Sequence, residues 1–306
     1  MTYAGLDIGS RTIALVELGE RVEGSVIVDT GPNPLQRCRR LLRGKTYEGL
    51  VVTGYGRHLA APALAAEVIS EIRAYAVGAR HLYPDCRTVI DVGGQDCKVT
   101  LLSDSGEVQK FEMNDRCAAG TGRFLEVMAR VLEVDIGELA EHALGAKEAV
   151  RINSLCTVFA ESEVVSLIAG GAESQAIGLG LHEAIATRIG ALARRVGPRE
   201  RVVFAGGGAL NACLRELLGR RLGVELTVPD RPQTVGALGA ALIARGSPLT
   251  TPCLDPGVTM RHALRTATPL ASPHLSAYNV PHTYRRRVRK EGVRLNDEAT
   301  ETTGPG

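Results

Sequence analysis

A duplicated α/β fold, with two lobes facing one another across a cleft, is predicted from three observations. The motif Leu6-Asp7-Ile8-Gly9-Ser10 returns 84 positions later as Ile90-Asp91-Val92-Gly93-Gly94, each time at the end of a first strand and the start of a hairpin. Strand and helix patterns alternate from there to Arg245. A third glycine turn, Gly206-Gly207-Gly208, opens a helix beside Asn211. The chain of 306 residues has room for two domains of ordinary size, and its 44 % hydrophobic and 23 % charged residues exclude a wholly disordered or collagen-like protein.

Tyr3 to Ile8 reads as a buried strand, Thr12 to Leu18 as a second and Ser25 to Val28 as a third, a small antiparallel meander with glycine and charged residues at its turns. Helical patterns at Pro34 to Leu42 and Pro62 to His81 flank the apolar strand Leu50 to Thr53, which runs into Gly54-Tyr55-Gly56. The opening pattern then recurs in strands Thr88 to Val92, Lys98 to Leu102 and Val108 to Glu112, the last two joined by Ser103-Asp104-Ser105-Gly106. Gly120 to Leu132 places Phe124, Leu125, Met128, Val131 and Leu132 at helical spacing. Asp135 is expected to cap a helix to Leu144, and helices Val158 to Ala169 and Ser174 to Val196 end at glycines 170–171 and 197. Strand Arg201 to Ala205, helix Leu210 to Leu222, strand Val224 to Val228 and the Ala/Gly-rich helix Thr234 to Arg245 close the core. The expected division is an N-terminal lobe, residues 1–86, completed by the helix at 232–245, and a C-terminal lobe, residues 87–231. Residues 246–306, rich in Pro, Thr, Ser and Arg, are expected to be a disordered tail.

Lys and Arg number 36 against 34 Asp and Glu, so the net charge of +2 gives no electrostatic reason to expect a nucleic-acid or membrane partner. The basic run Arg285 to Lys290 reads as a solvated charge run in the tail. Seven cysteines, an odd number without CxxC spacing, argue against a secreted disulfide scaffold. Met1-Thr2-Tyr3 runs straight into a strand pattern without signal-peptide character, and no apolar stretch reaches membrane-spanning length, so a cytoplasmic location is expected. The histidines show no HxxH or HExxH spacing, and the absence of GxxxxGK[ST] excludes a P-loop NTPase.

An Asp-x-Gly turn at a strand end lets the backbone approach a phosphate, because glycine has no side chain to clash and the exposed N–H groups point at the anion. The aspartate adds a hard carboxylate for Mg²⁺. One such turn is usually just a hairpin. Two in register within a duplication, plus a glycine turn at Gly206 to hold an adenosine, are the plan of the actin, sugar-kinase and heat-shock-ATPase (ribonuclease H-like) superfold. That superfold hosts kinases, chaperones and filament proteins, so the function has to come from the site.

Two cysteines stand where a kinase would have no use for them. Cys117 precedes a helix in Asn114-Asp115-Arg116-Cys117-Ala118-Ala119-Gly120-Thr121-Gly122, and Cys156 begins another in Cys156-Thr157-Val158-Phe159-Ala160-Glu161-Ser162-Glu163. A helix N-terminus favours a thiolate. Buried cysteines are otherwise small hydrophobes, which is the reading for Cys38, Cys86, Cys97, Cys213 and Cys253. Two thiolates cannot complete a four-thiolate cluster, but two copies of the chain on a two-fold axis can, which predicts a homodimer with a bridging 4Fe–4S cluster.

With Val52-Thr53-Gly54-Tyr55-Gly56-Arg57 and Ile90 to Asp96, these segments make the chain, over about residues 3 to 245, resemble the ATP-dependent activators of 2-hydroxyacyl-CoA dehydratases, whose relatives include ATPase subunits of benzoyl-CoA reductase. The resemblance implies one ATP or ADP per subunit and one cluster held by Cys117 and Cys156 of each chain. It also implies ferredoxin or flavodoxin as electron donor and ATP-driven electron transfer to a dehydratase. On this reading Asp7 and Asp91 organise Mg²⁺ and the attacking water, Gly9, Ser10, Arg11, Thr12, Gly93 and Gly94 hold phosphates, and Gln95 or Asp96 senses the γ-phosphate. Gly120 and Thr121 add to the cofactor-binding set, and Gly206, Gly207, Gly208 and Asn211 hold the adenosine. Gly208 replaces the family's apolar residue, which implies a looser turn. A cluster-free small-molecule kinase of the same superfold and a nucleotide-dependent filament or switch protein are the competing readings.

Overall fold

The computed structural model describes residues 1–115, 118–153 and 156–246; Cys117 and the expected tail from residue 247 onward lie outside the described residues. Two five-stranded sheets with the same strand order form the frame. In the first, β1 (Tyr3–Ile8), β2 (Thr12–Leu18) and β3 (Val22–Asp29) make the antiparallel meander, β4 (Gly49–Thr53) lies parallel to β1, and β5 (Glu67–Val68) lies parallel to β4. The second repeats this with β6 (Thr88–Val92), β7 (Cys97–Leu102), β8 (Val108–Asn114), β9 (Val202–Ala205) and β10 (Leu226–Thr227). Strands β6 and β7 are buried along their whole length, as expected of strands covered on both faces.

The duplication is exact in its turns and reaches beyond the repeated motif. Gly9 N donates to Thr12 O at 2.9 Å in one hairpin and Gly93 N to Asp96 O at 2.9 Å in the other. After β4, Gly54 takes φ +89°; after β9, Gly206 takes φ +79°. A Cβ on these glycines would lie 2.5 Å from Asp7 Oδ1 and 2.3 Å from Asp91 Oδ1, respectively. Gly56 and Gly208 form a second matched pair, since a Cβ would meet Ile8 Cγ2 at 2.5 Å in one case and Val92 Cγ1 at 2.5 Å in the other. Gly208 therefore does not loosen its turn. It is the hydrogen-sized contact that lets the turn close on the hairpin.

Helices α3 (Glu71–Leu82) and α9 (Val235–Ala244) run between the sheets. Their backbones touch: a Cβ on Gly78 would fall 2.1 Å from Val235 O, and one on Gly239 only 1.8 Å from Ala74 O. From this pair, α9 packs Ala237, Leu238, Ala241 and Leu242 on Ala14, Val16 and Leu18 of the first sheet. In turn, α3 packs Tyr75, Ala76 and Ala79 on Val89, Leu102 and Val203 of the second. The outer side of the second sheet is covered by α4 (Gly122–Val131), α6 (Thr157–Ala169) and α7 (Ser174–Val196), which bury Phe124, Met128, Val164, Ile177, Leu181 and Ile185 against Val99 and Phe204.

The single helix expected over Pro62 to His81 is three elements. Helix α2 (Arg57–Leu64) ends where Ala65 turns left-handed at φ 51°, β5 follows, and α3 starts afresh with Ser70 Oγ accepting from Arg73 N at 3.4 Å. Edge pairing of Glu67 and Val68 with Val51 and Val52 outweighs helix continuity there. Asp135 does not cap a helix; it accepts from Gly137 N at 2.8 Å in a turn that precedes α5 (Leu139–Leu144). Helix α8 (Ala212–Leu222) begins two residues later than expected because Asn211 caps it, accepting from Leu214 N at 2.8 Å. Among the described residues no helix is long and apolar enough to cross a membrane.

Candidate active site

The two hairpins and the Gly206 turn converge on one cleft of about 410 Å³. Asp7, Gly9, Ser10, Arg11 and Thr12 line it from the first sheet, and Asp91, Gly93, Gly94, Gln95 and Asp96 from the second, with Gly206, Gly207, Gly208 and Asn211 completing the wall. Chain geometry explains the convergence: each aspartate sits at the carboxyl end of its sheet's central strand, beside a parallel neighbour that ends in a positive-φ glycine. Gly120 and Thr121 stand apart from the wall. Thr121 is fully buried, with its hydroxyl donating to Ala118 O at 2.6 Å. The next two amides reach the site instead, Gly122 N donating to Gly93 O and Arg123 N to Gly94 O, both at 2.9 Å. Helix α4 is thereby tied to the second hairpin by its first turn. Arg11 crosses the cleft to the same helix, its Nε 2.6 Å from Glu126 Oε1.

At the floor lies an acidic group that sequence reading located only in part. Asp7 and Asp91 are 8 % and 4 % exposed. Burial, reinforced by Glu71 and Asp91, pushes the Asp7 carboxyl well above the usual carboxylate range, opposed by Lys98 and a hydrogen bond from Tyr75. Burial likewise pushes Asp91 up to about 7, with Lys98 pulling down and Asp96 and Glu71 pushing up. Lys98 Nζ is 2.5 Å from Glu71 Oε2, 2.7 Å from Asp96 Oδ2 and 3.6 Å from Asp91 Oδ2, and these neighbours raise its pKa against the effect of burial. Arg57 reaches Glu71 at 3.8 Å. With all four carboxylates ionised, as a bound cation would make them, these two cations leave a surplus of two negative charges. A hard divalent cation fits that surplus of negative charge: Glu71, Asp91 and Asp96 offer oxygens within 4.8 Å of one another, and the buried Asp91 Oδ1 has no hydrogen-bond partner.

Glu71 and Lys98 were not singled out in the sequence. Glu71 lay inside what read as a continuous helix, whereas Ser70 followed by an acidic residue is a helix-start signal that could have placed it. Lys98 is a lone cation in a strand buried throughout, and a charge in such a run requires partners. On the opposite wall, Asn211 Nδ2 lies 2.9 Å from Nε2 of the fully buried His182, whose Nδ1 is 2.7 Å from Gly178 O. Donation by Asn211 and acceptance by Gly178 O fix a neutral ring with its proton on Nδ1, and burial lowers its pKa.

Cys156 occupies the N-cap position of α6 and is exposed. Cys38, Cys86, Cys97 and Cys213 are buried, as packing thiols should be, and burial raises Cys38, Cys86 and Cys213 to about 11. Beside Cys156, α6 exposes Val158 and Phe159 at 69 % and 67 %, then Val165 and Ile168, an apolar strip unusual for a solvated helix.

Residues 37–244 match the model of the BadF/BadG/BcrA/BcrD ATPase family. The activator of lactoyl-CoA dehydratase from Anaerotignum propionicum is 43 % identical over 80 % of this chain and 97 % of its own. The crystal structure of the Acidaminococcus fermentans (R)-2-hydroxyglutaryl-CoA dehydratase component A aligns with a TM-score of 0.76 at 39 % identity, over 80 % of this chain and 98 % of that one. The activator of the 2-hydroxyisocaproyl-CoA dehydratase from Clostridium difficile with bound ADPNP aligns with a TM-score of 0.74 at 37 % identity, over 89 % and 100 %.

Proposed function

The chain belongs to the BadF/BadG/BcrA/BcrD ATPase family, and from that premise we propose that it is an ATP-hydrolysing iron–sulfur electron donor that activates a 2-hydroxyacyl-CoA dehydratase or a related acyl-CoA reductase. The observation that carries this reading is the joining of two features in one fold. A paired-aspartate nucleotide cleft is tied by hydrogen bonds to helix α4, which begins five residues beyond Cys117, while an exposed Cys156 heads α6. The relatives are named for lactoyl-, 2-hydroxyglutaryl- and 2-hydroxyisocaproyl-CoA dehydratases, so the shared chemistry is that of a 2-hydroxyacyl-CoA.

In this reading the hairpin amides around Gly9 and Gly93, with Ser10, Arg11, Thr12 and Gly94, hold the phosphates of ATP, and the glycine turn at 206–208 with Asn211 holds the adenosine. Asp91 and Asp7 hold Mg²⁺ and orient the attacking water; Gln95 or Asp96 senses the γ-phosphate. Arg11 leaves Glu126 for the incoming phosphate, and the Gly93–Gly122 and Gly94–Arg123 bonds carry the hairpin's movement to α4. Cys117 and Cys156 of both protomers of a homodimer would hold a 4Fe–4S cluster, which would supply the one-electron chemistry that side chains lack. The apolar strip of α6 supports a dimer contact beside it.

Bound there, the cluster would supply one-electron transfer from a reduced ferredoxin or flavodoxin to the dehydratase, coupled to the hydrolysis of ATP by water to ADP and phosphate. Raising an electron by ~300 mV takes ~7 kcal/mol, within reach of nucleotide hydrolysis. Asp91→Asn is expected to abolish ATP hydrolysis while iron content stays at the wild-type level; retained hydrolysis refutes the role of Asp91.

A further inference from the structure

Lys98 stands on β7 directly opposite Asp91 of β6 in strand register. In the duplicated hairpin the same place, opposite Asp7, is taken by Ala14. The lysine is therefore no part of the repeated frame, and its burial at 5 % exposure has to be explained by what it touches. Its ammonium sits among Glu71, Asp96 and Asp91, the same carboxylates that could chelate a divalent cation. An ammonium and a divalent ion cannot both be held by one set of oxygens, because at contact distances the two cations repel strongly in so buried a place.

We propose that Lys98 is a positioning residue that divides this acidic group and makes metal loading depend on nucleotide. It keeps Glu71 and Asp96 as ion-pair partners at 2.5 and 2.7 Å. Asp91, 3.6 Å away and with its buried Oδ1 unpartnered, is left to face the metal. A divalent cation arriving alone then has Asp91 as its main carboxylate ligand and fills the rest of its six-fold shell with water, which leaves it weakly held. Phosphate oxygens of a bound nucleotide complete the set, so the ion enters with its nucleotide. This inference rests on the nucleotide-cleft reading.

The test is an EPR titration of Mn²⁺ into the full-length wild type and Lys98→Met, each with and without AMPPNP. Without nucleotide, Lys98→Met is expected to bind Mn²⁺ at least tenfold more tightly than the wild type, since Glu71 and Asp96 become free to coordinate. In the wild type, AMPPNP is expected to tighten Mn²⁺ binding at least tenfold. Should Lys98→Met not fold, the charge-balanced Lys98→Met/Glu71→Gln variant, in which only Asp96 is freed to coordinate, is expected to show a smaller gain, at least threefold, in the nucleotide-free protein. Equal nucleotide-free Mn²⁺ affinities in the wild type and the folded variant overturn the proposal. If AMPPNP still binds in that case, the nucleotide reading survives; a folded wild type that binds no AMPPNP sinks both.

Discussion

Replacing Gly206 by Ala tests the close approach of its turn to Asp91, with Gly197→Ala as a positive-φ substitution in open space for comparison. Gly206 and Gly197 both take positive φ, +79° and +78°, but Gly206 is at ψ 179° where Gly197 is left-handed at ψ 70°, and a Cβ on Gly197 meets nothing within 4 Å whereas one on Gly206 falls 2.3 Å from Asp91 Oδ1 and 2.6 Å from Val92 O. Gly197→Ala should therefore show the backbone term alone, roughly 1–2 kcal/mol. Gly206→Ala combines a backbone conformation essentially reserved for glycine, roughly 1–3 kcal/mol, with the displacement of a carboxylate or a strand carbonyl, an overpacking cost of roughly 1–3 kcal/mol, so its total is roughly 2–6 kcal/mol. Urea unfolding of the wild type and both variants measures the two losses. Because the displaced group is Asp91, Gly206→Ala should also lose most of its ATPase activity while Gly197→Ala keeps it. Equal destabilisation by the two substitutions, with ATPase retained in both, would refute the matched packing of the Gly54 and Gly206 turns.

Other expectations concern protonation, positioning and assembly. Asp91, raised by burial to about 7, binds more protons folded than unfolded between about pH 4 and 7, so metal- and nucleotide-free protein loses stability as pH rises through that window and holds it below. Asp91→Asn should flatten that fall in unfolding measurements at pH 5 and 8; an unchanged profile contradicts the burial effect. His182→Ala removes the partner of Asn211 Nδ2 and a fully buried ring, and should cost roughly 2–4 kcal/mol in urea unfolding and weaken ATP binding. Unaltered nucleotide affinity would separate Asn211 from the adenosine. Glu126→Gln, which frees Arg11, should raise ATP affinity several-fold by calorimetry with stability within about 1 kcal/mol of wild type. Phe159→Asp on the exposed face of α6 should shift the mass seen by light scattering from dimer to monomer.

What the sequence made legible was local. Asp7 and Asp91, with the glycines two residues on, could be paired because a hairpin turn needs the same residue types at the same spacing each time. Gly54 and Gly206 are just as well matched, but their requirement comes from the neighbouring strand, so nothing in the flanking side chains announces it. Gly208 looked like a departure until the contact with Val92 gave it the same reason as Gly56. Glu71 and Lys98 were hidden for a stronger version of that cause. One is carried by a helix after the first sheet's last strand and the other by a strand of the second sheet, and only the tertiary fold brings them within 2.5 Å. The helix break at Ala65 was missed because edge-strand pairing with β4 is a long-range term that local periodicity does not contain.

Electron transfer stands or falls on iron and acid-labile sulfide, assayed with the oligomeric mass on anaerobically purified wild type, Cys117→Ala and Cys156→Ala. About four irons per dimer, lost in either variant, is the predicted result. An iron-free monomer that still binds nucleotide would contradict it and leave a cluster-free kinase of the same fold in its place.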